Sequence, residues 1–285
     1  MAHALTPEQL ERTLQGISVP AQPQILVDLQ MELYLPDPDL ATIGPLIAQD
    51  PGLAGAVLKV ANTLTAGERL TCIRQGVDTL GAPLVTALID AQSIKGEMSD
   101  ETIVVLNRFW DNAQDVATTS AALARELGVP DEEEAYTLGL LHDCGVPLML
   151  SRFPRYMAEL EVAYATSMDG RVIDAENRAY NTNHAVVGYY TARAWRLPHI
   201  LCAAIGNHHN ALAVLEADRN QHTPLKNLLA VLKMAEHVCR SHQVMGAQAE
   251  DHEWNRVGGL VLDYVGWSEY DFDNLRQTLR EMIAR

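Results

Sequence analysis

Apolar residues recur along almost the whole chain at the three- and four-residue spacing of helices, and nowhere is there a sustained in–out alternation of the kind a half-buried strand needs. Thr6-Pro7-Glu8 reads as a helix start, with a cap, a proline at the first position and an acid in the first turn. Leu26, Leu29 and Leu33 mark the next helix. Pro36-Asp37-Pro38-Asp39 is a turn and a new start, and Gln49-Asp50-Pro51-Gly52 breaks the chain before an apolar-faced helix over Leu53 to Asn62. Two shorter helices are expected over 72–94. The polar stretch Gly96 to Asp100 is the best linker in the chain, and divides a lobe of 1–95 from a core of 101–285. That core opens with a long helix over 101–128, closed by Gly128-Val129-Pro130, after which Asp131 with Glu134 three residues on signals another start. Helices follow around 152–167, 170–180, 184–196, 199–208, 224–242, 253–265 and 270–284. The expected fold class is all-α.

Within this pattern some polar residues fall where apolar ones belong. His142 lies on the same stripe as Leu138 and Met149, so the dipeptide His142–Asp143, inside Leu140-Leu141-His142-Asp143-Cys144-Gly145, is expected to point inward from a buried helix. A buried charge persists only when it is paired or bound to a metal. His184, the pair His208–His209 and Glu236 follow downstream. Glu236 shares a helix face with Leu225, Leu229 and Leu232, where an acid costs several kcal/mol unless a cation meets it. That cation is either a metal or a neighbouring Lys or Arg. If a metal, an aspartate beside a histidine can bridge two ions, and imidazole ligands favour Fe, Mn, Zn, Ni or Co over Mg or Ca. Two ions about 3.5–4 Å apart would clamp a phosphate and activate water. The remaining histidines, His3, His199, His222, His237, His242 and His252, are expected to be solvated or casually bonded.

Composition narrows the setting. The 285 residues are 48% apolar, enough for a substantial core. The formal charge of −16 repels phosphate backbones and argues against a nucleic-acid polymer as partner. The same charge hinders any anionic substrate unless the histidine cluster or a bound metal supplies positive charge locally. No apolar run of about 18 residues predicts a membrane span, and the first residues lack the basic start and apolar stretch of a signal peptide. A cytoplasmic protein is expected. Cys72, Cys144, Cys202 and Cys239 form no Cys-x-x-Cys pair and read as free core thiols.

Taken in order, several pieces resemble the HDOD family, a branch of the HD superfamily found in bacterial signalling. In the first half these are Val19-Pro20, Pro23-Gln24-Ile25-Leu26, Ile47-Ala48-Gln49-Asp50-Pro51-Gly52-Leu53, Leu58-Lys59-Val60-Ala61-Asn62 and Ile73-Arg74-Gln75-Gly76-Val77-Asp78-Thr79-Leu80-Gly81. In the second half they are Phe109-Trp110, Gly139-Leu140-Leu141-His142-Asp143-Cys144-Gly145, His184-Ala185-Val186-Val187-Gly188, Trp195-Arg196-Leu197-Pro198 and Asn207-His208-His209. The resemblance implies an N-terminal helical lobe packed on an HD-type helical core, together one domain. Metals in active HD-GYP relatives are held by His, His-Asp, His, His-His and Asp. Carried over, these fall on Asn112, His142–Asp143, His184, His208–His209 and Glu236. Three departures stand out: Asn112 replaces the first His, Glu236 replaces the last Asp, and Val146 replaces the Lys that follows His-Asp-x-Gly. Asn210-Ala211-Leu212, rather than Gly-Tyr-Pro, follows the histidine pair.

The expectation is therefore a regulatory module that binds a signalling partner or a nucleotide through a degenerate metal site of one or two ions of Fe, Mn or Zn. Two alternatives remain open. One is a metal-dependent phosphohydrolase, in which Asp143 would bridge the metals. The other is a hydrogen-bonded polar core with no metal at all.

Overall fold

Breakers and caps cut the chain where the pattern places them. The computed structural model describes residues 19–283, apart from 34, 36–37, 66, 68, 94–98, 130, 169, 218–220 and 222. Among the described residues every regular element is a helix and none is a strand. The helix start at Thr6 and most of the linker at Gly96 to Asp100 lie outside them.

The N-terminal lobe comprises α1 (Pro23–Leu33), α2 (Leu40–Ile47), α3 (Pro51–Leu64) and α4 (Ile73–Ser93). Asp50 starts α3, where its carboxylate accepts from the Leu53 amide at 2.7 Å and Pro51 supplies the pre-set first turn. The face of α3 from Pro51 to Asn62 is buried throughout. The two shorter helices expected over 72–94 are the two halves of α4, which meet at the non-helical Gly81 (φ 69°, ψ 167°) just before Pro83.

The core begins with α5 (Asp100–Leu127), whose first amides are capped by Ser99 and whose end is turned by Gly128 (φ 71°). Asp131 accepts from the Glu133 and Glu134 amides and starts α6 (Glu132–Leu141). Then come α7 (Val146–Arg152), α8 (Tyr156–Ala165), α9 (Ile173–Tyr180), α10 (His184–Ala194) and α11 (His199–Asn207). A single 3₁₀ turn, His208–Asn210, leads to α12 (Ala211–Glu216), α13 (Pro224–Cys239), the short α14 (Ser241–Val244), α15 (His252–Val265) and α16 (Glu269–Ile283). Helix α6 lies along α5, α13 is central between α5, α11 and α15, and α10 packs on α11.

The lobes share one continuous apolar core, running from Leu29, Ile43 and Leu58 to Leu141, Leu201 and Leu232. Contact across the junction is close. A Cβ at Gly55 on α3 would come within 2.6 Å of the Trp195 ring, so only glycine lets the helix rest on the indole. Thr137 Oγ1 donates to the Thr71 carbonyl at 2.7 Å, and Arg69 donates to that of Leu197 at 3.0 Å. No helix among the described residues is long and apolar enough to cross a membrane.

Candidate metal centre

His142 and Asp143 do not sit within a helix, as the apolar stripe suggested. Helix α6 ends at Leu141, and His142 to Gly145 form the turn into α7. The stripe runs through this break because Leu138, Leu141, Val146 and Met149 are all buried on both sides of it. Gly145 makes the turn possible: a side chain there would overlap the His184 carbonyl and come within 2.9 Å of the Gly188 amide. The bare glycine lets the turn lie against the start of α10, where Asn183 caps the helix by accepting from the Val186 amide at 2.9 Å. His184 is the first residue of that helix. The 3₁₀ turn after α11 then delivers His208 and His209 in succession to the same place.

All six expected residues meet. His184 Nε2 and His208 Nε2 are 3.3 Å apart, and each lies 3.4 Å from Asp143 Oδ1. His142 Nε2 is 3.3 Å from Asp143 Oδ2 and 3.6 Å from Glu236 Oε1. The donor atoms of Asp143, His184, His208 and His209 all fall within 4.8 Å of one another. None of His142, Asp143, His184, His208 and His209 exposes more than 4% of its surface.

The hydrogen bonds fix which nitrogen faces the centre. His142 Nδ1 donates to the Gly139 carbonyl at 2.7 Å, and His208 Nδ1 to that of Ile205 at 2.6 Å. His184 Nδ1 donates to Glu176 at 2.7 Å, and His209 Nδ1 to Glu253 at 3.0 Å. Carbonyls and carboxylates only accept, so each Nδ1 carries its proton and each neutral ring has its lone pair on Nε2. His209 Nε2 and Asp143 Oδ1 are buried and make no hydrogen bond.

Such a set of inward lone pairs needs a proton or a cation. Without a metal, burial lowers the affinity of His184 for a proton, but the Glu176 charge more than offsets this and raises its pKa to about 9. Burial and the neighbouring His209 push His208 well below the ordinary range. Burial also acts to raise Asp143, yet the imidazoles around it, His142 foremost, hold it well below the usual carboxylate range.

The donors fit a transition metal in both kind and spacing. Donors about 2.0–2.1 Å from a tetrahedral ion lie about 3.3–3.4 Å from one another. The triangle of Asp143 Oδ1, His184 Nε2 and His208 Nε2 has sides of 3.4, 3.4 and 3.3 Å. Two imidazoles and a carboxylate are a common triad for non-haem iron and also suit zinc or manganese. The carboxylates behind His184 and His209 are the outer partners that orient ligating imidazoles.

Glu236 is differently engaged. Lys233, one turn before it on α13, places its ammonium 2.6 Å from Glu236 Oε2 and 3.0 Å from Glu253 Oε2. The Lys-or-Arg partner left open by the sequence is therefore Lys233. Asn112 is buried on α5, where its Oδ1 accepts from Ser241 Oγ at 2.8 Å. Val146 is buried and brings no charge. All four cysteines are buried free thiols, as expected, and burial pushes the Cys144 thiol up.

Three residues of the centre escaped the sequence reading: Glu176, Glu253 and Lys233. Lys233 was legible as an i, i+3 partner of Glu236. Glu176 and Glu253 gave no signal, because each is chosen by tertiary placement. Tyr156 supports Glu176 by donating to its Oε2 at 3.2 Å. Of the histidines expected to be solvated or casually bonded, the half-buried His237 and the buried His242 face one acid: His237 Nδ1 lies 2.8 Å and His242 Nδ1 3.3 Å from Asp251 Oδ2. His3 and His222 lie outside the described residues.

The chain has relatives. An uncharacterized protein of Treponema pallidum (strain Nichols) is 27% identical over 198 residues, covering 67% of this chain and 38% of that protein. The chain thus spans well under half the length of that relative. Among solved structures, the MmoQ response regulator of Methylococcus capsulatus str. Bath superposes with a TM-score of 0.64 at 19% identity, covering 92% of this chain and 99% of that one. A virulence factor of Campylobacter jejuni subsp. jejuni gives 0.64 at 15% identity, covering 96% and 98%. At these identities the likeness is one of fold. Residues 19–211 match the HDOD domain, and that match spans both lobes and every expected ligand but Glu236. The chain belongs to the HDOD domain family.

Proposed function

We propose that the chain is a non-catalytic signalling module whose buried cluster holds one divalent transition metal ion, Fe, Mn or Zn, and whose ligand is a nucleotide or similar phosphorylated molecule. Asp143, His184 and His208 would hold the ion, with His209 beside them. In this position a metal cross-links the His142–Gly145 turn, the start of α10 and the end of α11.

The observation that carries the non-catalytic reading is the burial of Asp143 and of the histidines around it. A phosphodiester attacked at a metal pair must reach the bridging carboxylate, and Asp143 is only 4% exposed. Val146 also offers no charge to a phosphate, and losing one such electrostatic stabiliser costs about 10²–10³ in rate.

A shallow cleft of about 100 Å³ opens on the other side of His209, lined in part by Arg171, Asn210, Glu253 and Arg256. Arg256 Nε is buried there with no hydrogen-bond partner. This is room for a phosphoryl group, but well below the about 300 Å³ that encloses a drug-sized ligand. A nucleotide docked here would leave its base for a second surface, which suits a signal read by a partner protein.

The test is a panel of cyclic dinucleotides, cyclic mononucleotides and dNTPs with Mn, Fe and Zn. The expected result is no turnover, with binding of at least one of these nucleotides that Arg256→Ala weakens at least tenfold. Metal-dependent hydrolysis abolished by Asp143→Ala would establish the phosphohydrolase reading in its place.

A further inference from the structure

The expected ligand set is built for positive charge on both sides of Asp143. On one side lie His184 and His208. On the other lie His142 and Glu236, with Asn112 at the position that the resemblance assigns to a further ligand. The second side is the one where this chain departs from its active relatives, and it is there that Lys233 is buried.

We propose that the Lys233 ammonium is the second cation of this centre: it stands covalently where another metal ion would neutralise Glu236, so the chain takes one exchangeable ion rather than two. The proposal rests on the metal reading given above.

Geometry supports it at each contact. Lys233 is 2% exposed, with its ammonium between Glu236 Oε2 at 2.6 Å and Glu253 Oε2 at 3.0 Å. An ion bound by Glu236 at about 2.0–2.2 Å would share that carboxylate with the ammonium, which sets two like charges across one side chain. Of the remaining ligands on that side, Asn112 Oδ1 is engaged by Ser241 Oγ, and His142 Nε2 lies between Asp143 Oδ2 at 3.3 Å and Glu236 Oε1 at 3.6 Å. The unpartnered donors, Asp143 Oδ1 and His209 Nε2, belong to the four-residue cluster instead. Glu253 links the two halves, because it accepts from Lys233 and from His209 Nδ1. Lys233 therefore also fixes the outer partner of a residue in the metal cluster. A fixed ammonium supplies one positive charge to Glu236 and Glu253 but cannot activate water or exchange, so it neutralises these carboxylates in part without a metal's chemistry.

The test counts metal. Chelator-stripped wild type, Lys233→Ala and Glu236→Gln are dialysed against Mn(II), and in parallel against Zn(II), and assayed by elemental analysis. Expected are one equivalent in wild type, one in Glu236→Gln, and two in Lys233→Ala. The Lys233→Ala protein should melt lower than wild type in chelator and recover more on metal addition. Two equivalents in wild type, one in Lys233→Ala beside one in wild type, or loss of the ion in Glu236→Gln would each overturn the proposal. No ion in wild type but one in Lys233→Ala would remove the metal reading of the histidine cluster and, with it, the proposed count of one ion. No ion in either would overturn both. Should Lys233→Ala not fold, Glu236→Gln decides alone: retention of its one ion upholds the proposal and loss of it overturns it.

Discussion

Four imidazoles each place the Nδ1 proton on a fixed acceptor and aim Nε2 at one carboxylate. The acceptors are not equal. Two are backbone carbonyls, which no mutation removes. Two are Glu176 and Glu253, which make His184 and His209 stronger donors to a metal. Glu176→Gln should therefore weaken metal binding about 10–100-fold with little change of fold. Competition against a chromophoric chelator measures this, and an unchanged affinity would remove Glu176 from the centre. A second residue-scale prediction concerns Asp251. Burial acts to raise its pKa, but the hydrogen bond from His237, the His242 ring 3.3 Å away and the bond from the Trp254 amide more than offset this and hold it below the usual range. Its folded pKa lies below the unfolded value of about 3.9, so its stabilisation is complete above that value and fades as pH falls below it. Asp251→Asn should cost about 2 kcal/mol at pH 7, the worth of a hydrogen bond to a charged group. The gap in melting temperature from wild type should narrow below about pH 4. A gap that stays constant from pH 7 to pH 3 would contradict the assignment. At this scale the clustered residues were legible in the sequence because a buried histidine or acid interrupts an apolar stripe. Their outer partners were not, since the acceptor for a given Nδ1 is selected by which helix the fold brings alongside.

Helix boundaries were readable wherever a cap or breaker marks them, as at Asp50-Pro51, Gly128 and Asp131. The turn at His142 to Gly145 was hidden. Its flanking apolar residues keep helical spacing across the break, and the one breaker, Gly145, is a residue that helices also tolerate. What demands glycine is the His184 backbone lying against it, which is a tertiary fact. Gly145→Ala must push α7 away from α10 and should cost about 3 kcal/mol, at the upper end of overpacking penalties. It should also lose the metal, because Asp143 moves with the turn. Chemical denaturation combined with elemental analysis checks both. A variant of wild-type stability that keeps its ion would show that the two helices can part without disturbing the centre.

The molecule is one family fold in which the first lobe holds the second. The apolar core runs through from α3 in the first expected lobe to α6 and α11 in the second. A single cooperative unfolding transition follows. Fluorescence of Trp110 and Trp195, both buried near the junction, should change together with far-UV circular dichroism. Separated transitions would indicate lobes that fold independently. The all-helical class and the HDOD membership were legible from the order of weak pieces spread over most of the chain. The charge distribution was not: a formal charge of −16 gives no hint that a lysine lies buried beside the metal cluster. The central claim is that Asp143, His184 and His208 hold one metal ion. It is tested most directly by anomalous diffraction at the metal edge from crystals of the Mn- or Zn-loaded protein. One peak is predicted, at ligand distance from Asp143, His184 and His208 and absent in His208→Ala. No peak at that position under saturating metal would contradict the account and leave the cluster as a protonated polar core.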